Sequence, residues 1–89
     1  MKTNLLTNVK VKTTLIHNWS RTRIISEDCN VFWKQKWYWI NVVHRYSKTS
    51  TNEEHIILII DTQTEEDVLR YSSSKNFDWK QMASDWIKL

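Results

Sequence analysis

Three histidines, one cysteine and a run of acids are the residues of this chain suited to chemistry. His17, His44 and His55 are scattered, and Cys29 stands alone with no second cysteine. A zinc site gathers four ligands, with pairs held at short spacings such as CxxC or HxxxH. None of these residues stands at such a spacing. His44 and His55 can become neighbours across a hairpin, but Cys29 falls at the far end of the same stretch. No Ser/His/Asp or Cys/His arrangement follows from three dispersed histidines. The acidic run Asp61-Thr62-Gln63-Thr64-Glu65-Glu66-Asp67, with Glu53 and Glu54 nearby, offers oxygen donors for Mg²⁺. A helix N-terminus decorated by acids accounts for it with less machinery. The expectation is a non-enzymatic protein with no cofactor and no metal.

The chain has no glycine among its 89 residues. That removes the glycine-rich phosphate loop, the dinucleotide fingerprint and the nucleophile elbow, each of which needs close backbone approach or a strained turn. It has no proline either. Turns with positive φ are expected at Asn or Asp, which tolerate that region best, with Asn8, Asn18, Asp28, Asn30, Asn52 and Asn76 as candidates. Richness in Lys, Asn, Ile, Thr and Ser is the output of an AT-rich gene, a composition shared with small proteins of phages and other mobile elements.

Charge is segregated. Residues 1–48 hold nine Lys/Arg against two acids, and residues 49–89 hold four against eight. The cations also come in dyads two apart: Lys10/Lys12, Arg21/Arg23 and Lys34/Lys36. On a strand, residues i and i+2 share a face, so three adjacent strands would present one positive surface. Cations that track phosphate and rings that stack bases are what single-stranded nucleic acid asks of a protein. The site expected on this reading is Lys10, Lys12, Trp19, Arg21, Arg23, Lys34, Lys36 and Tyr38. Lysines on the solvent side of a sheet also keep it soluble without any ligand.

The aromatic stretch VFWKQKWYWINVVHRY (residues 31–46) sorts by alternation into two sets. Trp33, Gln35, Trp37, Trp39, Asn41 and Val43 share one face, and Phe32, Lys34, Lys36, Tyr38, Ile40, Val42, His44 and Tyr46 share the other. With the lysines in solvent, the tryptophan row faces the core. The second set is then an apolar patch, Tyr38, Ile40, Val42 and Tyr46, suited to a protein partner or a homodimer. A protein-interaction module, either an inhibitor or an accessory subunit, is therefore the alternative to nucleic-acid binding.

These residues need elements to position them. Strand character appears at Val9–Ile16, Trp19–Ile25, Val31–Tyr46 (with a bulge or bend) and His55–Ile60. The turn from Lys48 to Asn52 joins the last two as a hairpin, with Tyr46 opposite His55, Val42 opposite Ile59 and Ile40 opposite Asp61. After Asp61 the period changes. Thr64 followed by Glu65-Glu66-Asp67 reads as a helix start. Trp79, Met82, Ala83, Trp86 and Ile87 fall on one face of a second helix that begins near Asn76. The expected fold is a single α+β domain of two layers over residues 1–89. About four antiparallel strands in a basic half, 1–61, precede one or two helices in an acidic half, 62–89, packed on one sheet face. The longest apolar run, Ile56 to Ile60, is too short to span a bilayer, and no targeting segment is visible. The expected location is cytoplasmic, with Cys29 a half-buried thiol.

Overall fold

A computed structural model describes residues 5–88; residues 1–4 and Leu89, the ends of the expected 1–89 domain, lie outside the described residues. The chain forms strands β1 (Lys12–Asn18), β2 (Thr22–Trp33), β3 (Lys36–Ser47), β4 (Glu53–Asp61) and β5 (Glu66–Ser73), then helix α1 (Trp79–Ile87). The strands make one antiparallel meander in sequence order. The α+β expectation holds, with five strands and one helix rather than four strands and one or two helices.

The extra strand comes from the segment read as a helix start. Thr64, Glu65, Glu66 and Asp67 build the β4–β5 turn and open β5. The Glu65 amide donates to the Asp61 carbonyl at 2.8 Å. The Asp61 side chain accepts from the Gln63 amide at 3.0 Å, and Thr64 Oγ1 from the Glu66 amide at 3.4 Å. Hydroxyl and carboxylate groups cap turns and helix starts by the same bond, so the two look alike in sequence. Pairing of β5 with β4 decides in favour of the strand.

The stretch 31–46 is not one bent strand. It is the end of β2 and the start of β3, joined by the two-residue turn Lys34-Gln35. Both turn residues have positive φ, 50° and 69°, the backbone of a type I′ hairpin turn. None of the Asn and Asp candidates for positive φ adopts it; among the described residues the third with positive φ is Glu65. The turn pairs Trp33 with Lys36 and sets Phe32 opposite Trp37, Val31 opposite Tyr38 and Cys29 opposite Ile40.

The β3–β4 hairpin sits two residues from its expected register. Tyr46 lies opposite Glu53, Val42 opposite Ile57, and Ile40 opposite Ile59. Ser47 sets this closure. Its amide donates to the Asn52 carbonyl at 3.0 Å, and its Oγ accepts from the Thr49 and Ser50 amides at 3.2 Å.

One side of the sheet carries the core. Ile40 and Val42 of β3, Ile57 and Ile59 of β4, and Cys29 and Val31 of β2 are buried against Leu6 and Trp79, Ala83 and Ile87 of α1. Asp78 caps the helix by accepting from the Gln81 amide at 3.2 Å. The N-terminal segment is tied to the helix by the Leu5 amide, which donates to Ser84 Oγ at 2.8 Å. Each buried Ile or Leu contributes about 1.5–3 kcal/mol. Among the described residues, no helix is long and apolar enough to cross a membrane.

Left-handed backbone costs a non-glycine residue about 1–2 kcal/mol. The double substitution Lys34→Asn with Gln35→Gly therefore raises stability by about 1 kcal/mol, read as a higher urea midpoint at unchanged m.

Candidate functional site

The pairing register sorts every strand residue onto one of two sides. Ile40, Val42, His44, His55, Ile57, Ile59 and Asp61 point to the helix side and are buried. The opposite side carries Phe32 at the end of β2, Trp37, Trp39 and Val43 on β3, and Ile56, Leu58 and Ile60 on β4. The packed core draws its strand residues from the helix side, apart from bulged Val68 in β5. No described element covers the other side, so Phe32 and Trp37 are half exposed, at 49% and 50%. Their rings pack at 5.1 Å between centroids, and Trp39 lies in the next row opposite Asn30 and Ile60.

This reverses the expected orientation. Of the tryptophan row, Trp33 packs against the core, with Lys34 and Lys88 over its ring at 5.9 and 5.7 Å. Trp37 and Trp39 face out. The reason is the Lys34-Gln35 turn. It places residues i and i+3 on one side, so the inward set changes from odd numbers in β2 to even numbers in β3. The patch expected for a protein partner is correspondingly misplaced. Ile40 and Val42 have no exposed surface, and Tyr38 and Tyr46 are partly buried on the helix side.

The basic dyads do not assemble into one surface. Trp19, 71% exposed, and Arg21 lie in the β1–β2 connection, and Arg23 is the second residue of β2. Lys48 is drawn to the same end, its amide donating to the Arg21 carbonyl at 2.9 Å and its ammonium to Asn18 Oδ1. Lys34 and Lys36 lie beyond the opposite end of β2, about 36 Å from Arg23 at ~3.3 Å per residue. There Lys36 Nζ sits 3.7 Å from Asp61 Oδ2. Lys10 precedes β1, and Lys12 stands opposite Asp28. The uncovered side holds Lys12, Arg45 and Arg70 against Asp28, Glu54 and Asp67, with no net charge. Arg45 lies opposite Glu54 in the register, and Arg70 is ion-paired with Asp67 at 3.1 Å.

Two polar donors within this apolar side have partners inside the chain. Asn41 Nδ2 donates to Ser26 Oγ at 2.8 Å and to the Glu27 carbonyl at 3.4 Å. Trp39 Nε1 donates to Asp28 Oδ2 at 3.3 Å. The chain's surface therefore includes a sheet face that can lose its water without orphaning these donors.

On the helix side the hairpin register brings His44 and His55 directly opposite one another. Their Nδ1 atoms are 2.7 Å apart in the interior. His44 Nε2 meets Glu27 Oε2 at 2.8 Å, and that same oxygen accepts from Trp79 Nε1 at 3.1 Å. His55 Nε2 lies 3.2 Å from Glu53 Oε1, an ion-pair distance without hydrogen-bond alignment. The Nδ1 contact requires one ring to donate and the other to accept, so two doubly protonated rings are incompatible with it. A cleft of about 410 Å³ between β2, β3 and the start of α1 reaches Glu27 and His44. Both His44 nitrogens already have protein partners there, so the cleft meets no free imidazole nitrogen. The chain Glu27–His44–His55–Glu53 spans β2, β3 and β4 and, through Trp79, seats the helix. Among the described residues no group of His, Cys, Asp and Glu has the arrangement to hold a metal ion.

Cys29 is buried beside this network. Burial pushes its thiol up from 9.0 to about 11, Asp28 adds to the shift, Lys80 opposes it and Glu27 adds a little. It is a packed thiol, not a nucleophile.

No protein-family model, no curated protein and no solved structure matches this chain. Its function has to be read from the geometry alone. Sequence reasoning set Phe32 on the lysine face but missed Trp37, Trp39, Val43, Ile56, Leu58 and Ile60 as a set lying outside the core with it. The available signal was β4, whose run Ile56-Ile57-Leu58-Ile59-Ile60 is apolar on both sides. A two-layer domain covers only one of them.

Replacing His44 by Phe leaves Glu27 and His55 without their ring partner, and lowers stability by about 1–3 kcal/mol in urea titrations. Cys29 reacts with a thiol reagent at pH 8 only after unfolding. In the folded state it keeps a proton that the unfolded chain releases. Its contribution to stability is complete below pH 9.0 and is lost as pH rises through about 11, which alkaline denaturation curves of Cys29→Ala against the parent resolve.

Proposed function

We propose that this protein is a non-enzymatic protein-interaction domain whose docking surface is the uncovered side of its sheet. One observation carries the reading: Phe32, Trp37, Trp39, Val43, Ile56, Leu58 and Ile60 form a continuous apolar and aromatic block outside the core. Large exposed apolar patches mark sites of association, and tryptophan is prominent among residues that dominate binding energy. Aliphatic side chains at the centre of the block favour a protein partner over bases, which stack on rings. Equal numbers of acids and cations on this side also supply no excess positive charge for phosphates.

A second reading rests on the opposite end of β2. Among the described residues Trp19 is the most exposed large apolar one, with Arg21, Arg23 and Lys48 near it in the chain and register, and this small cluster suits single-stranded nucleic acid. It predicts quenching of tryptophan fluorescence by an oligonucleotide at low salt, lost in Arg21→Glu/Arg23→Glu.

A photoreactive benzophenone side chain at position 58, in the centre of the block, tests the docking reading in cells expressing the protein. The expected result is one discrete protein adduct, identified by its peptide masses, that survives nuclease. The same side chain at position 71, on the other side of the sheet, gives none. An adduct that disappears with nuclease would shift the assignment to nucleic acid.

A further inference from the structure

We infer that the occupant of the uncovered sheet face is a second copy of this chain, forming a two-fold, face-to-face sandwich of sheets. The inference rests on the docking reading above and names its partner. Three properties of the face carry it.

The first is charge. The chain as a whole is +3, so a basic face would repel its own copy. This face is instead neutral. Lys12 lies opposite Asp28 and Arg45 opposite Glu54 in the sheet register, and Arg70 is paired with Asp67 at 3.1 Å. Each cation has a neighbour of opposite sign within its own face. A partner of strong charge finds nothing to complement, whereas a like face meets no net repulsion.

The second is polar satisfaction. Asn41 lies in the middle of β3 and would be buried in any complex. It already donates to Ser26 Oγ at 2.8 Å and to the Glu27 carbonyl at 3.4 Å. Trp39 Nε1 is held by Asp28 at 3.3 Å. A face that needs hydrogen bonds from a particular partner leaves donors pointing outward, because an unpaired buried donor is costly. Here these two central donors turn sideways, so apolar packing over the middle of β3 leaves neither unpaired. Two-fold symmetry satisfies that requirement directly, since an isologous interface matches a patch with itself.

The third is size. Five strands about 4.8 Å apart and roughly eight residues long give a planar footprint on the order of 600 Å². A standard stable interface removes about 800 Å² of accessible surface per partner. Protruding rings such as Trp37 and Phe32 add accessible area beyond the planar footprint. One face therefore supplies the area a stable dimer needs, without help from the helix or the loops. Two such faces pack about 10 Å apart, the separation of sheets in a β-sandwich. The result gives the sheet its second cover: α1 on one side and the copy on the other.

Sedimentation equilibrium of the purified chain, with circular dichroism as the control for folding, decides the matter. The parent is expected to be a dimer at about 100 µM, where a micromolar Kd leaves little monomer. Leu58→Glu places a charge at the centre of the face and is expected to give a folded monomer, weakening association at least 100-fold. Trp37→Glu, at a half-exposed position, provides the same readout should Leu58→Glu fail to fold. Tyr71→Glu, on the helix side of β5, is expected to leave the dimer intact. A parent that stays monomeric at about 100 µM, or a dimer that persists in a folded face variant, overturns the inference. The docking reading is judged separately by the crosslinker at position 58. A monomeric parent whose position 58 captures a different protein removes only the second copy. A position 58 that captures no protein in cells removes both.

Discussion

A two-residue hairpin turn places residues i and i+3 on the same side of a sheet. An odd-numbered inward set in one strand must therefore become an even-numbered set in the next. In this protein the turn is Lys34-Gln35, and the consequences run through the molecule. Cys29, Val31 and Trp33 point inward from β2, and Tyr38, Ile40, Val42 and His44 from β3. With Trp33 opposite Lys36, Trp37 and Trp39 have no choice but to face the other way. The turn runs against the local preference of both its residues, since each carries a Cβ at positive φ. The pairing of two 12-residue strands on either side holds it there.

The same register determines what the helix side contains. His44 and His55 are opposite one another because β3 and β4 close at Ser47 and Asn52, and that pairing joins Glu27 to Glu53 through two rings. A buried polar network depends on the partners its members find. Here both ring nitrogens of His44 are partnered, from β2 and β4, whereas His55 Nε2 has Glu53 only at ion-pair distance, and Trp79 adds the helix by donating to the Glu27 oxygen that His44 also meets. The network therefore helps to choose which side of the sheet α1 covers. The other side is left without a covering element, with Phe32 and Trp37 half exposed and its aliphatic residues partly buried among one another, and the proposed function follows from that choice.

Much of the architecture was legible in the sequence. Val9 to Ile16 alternates, and His55 to Ile60 is apolar and bounded by polar turns; both become strands, within a few residues of the expected limits. Trp79, Ala83 and Ile87 recur at helical spacing and form the buried face of α1. Two segments were misread for definable reasons. Lys34-Gln35 lacks the Asn-Gly chemistry that usually announces a type I′ turn, so the alternation of the sequence runs across it without a visible break. Thr64-Glu65-Glu66-Asp67 has the composition of a helix N-terminus, but its capping groups close a turn. The candidate site is less legible than the fold because its faces depend on the Lys34-Gln35 turn. A basic dyad is a local fact, and whether three dyads meet depends on strand lengths and register.

The sequence by itself determined the periodicities. Period 2 through most of residues 9–60, helical spacing after residue 78, and a lone thiol with no partner are all properties of the covalent chain. These are enough for a β-rich domain that closes with a helix. Only the tertiary structure decided which of the two alternating sets is buried. A period of two divides a strand into two faces and attaches no sign to either one. The sign comes from the turn that joins the strands and from the single helix available to cover them. With one helix and a five-stranded sheet, one apolar face was bound to remain outside the core. That face is the one bearing Trp37 and Trp39.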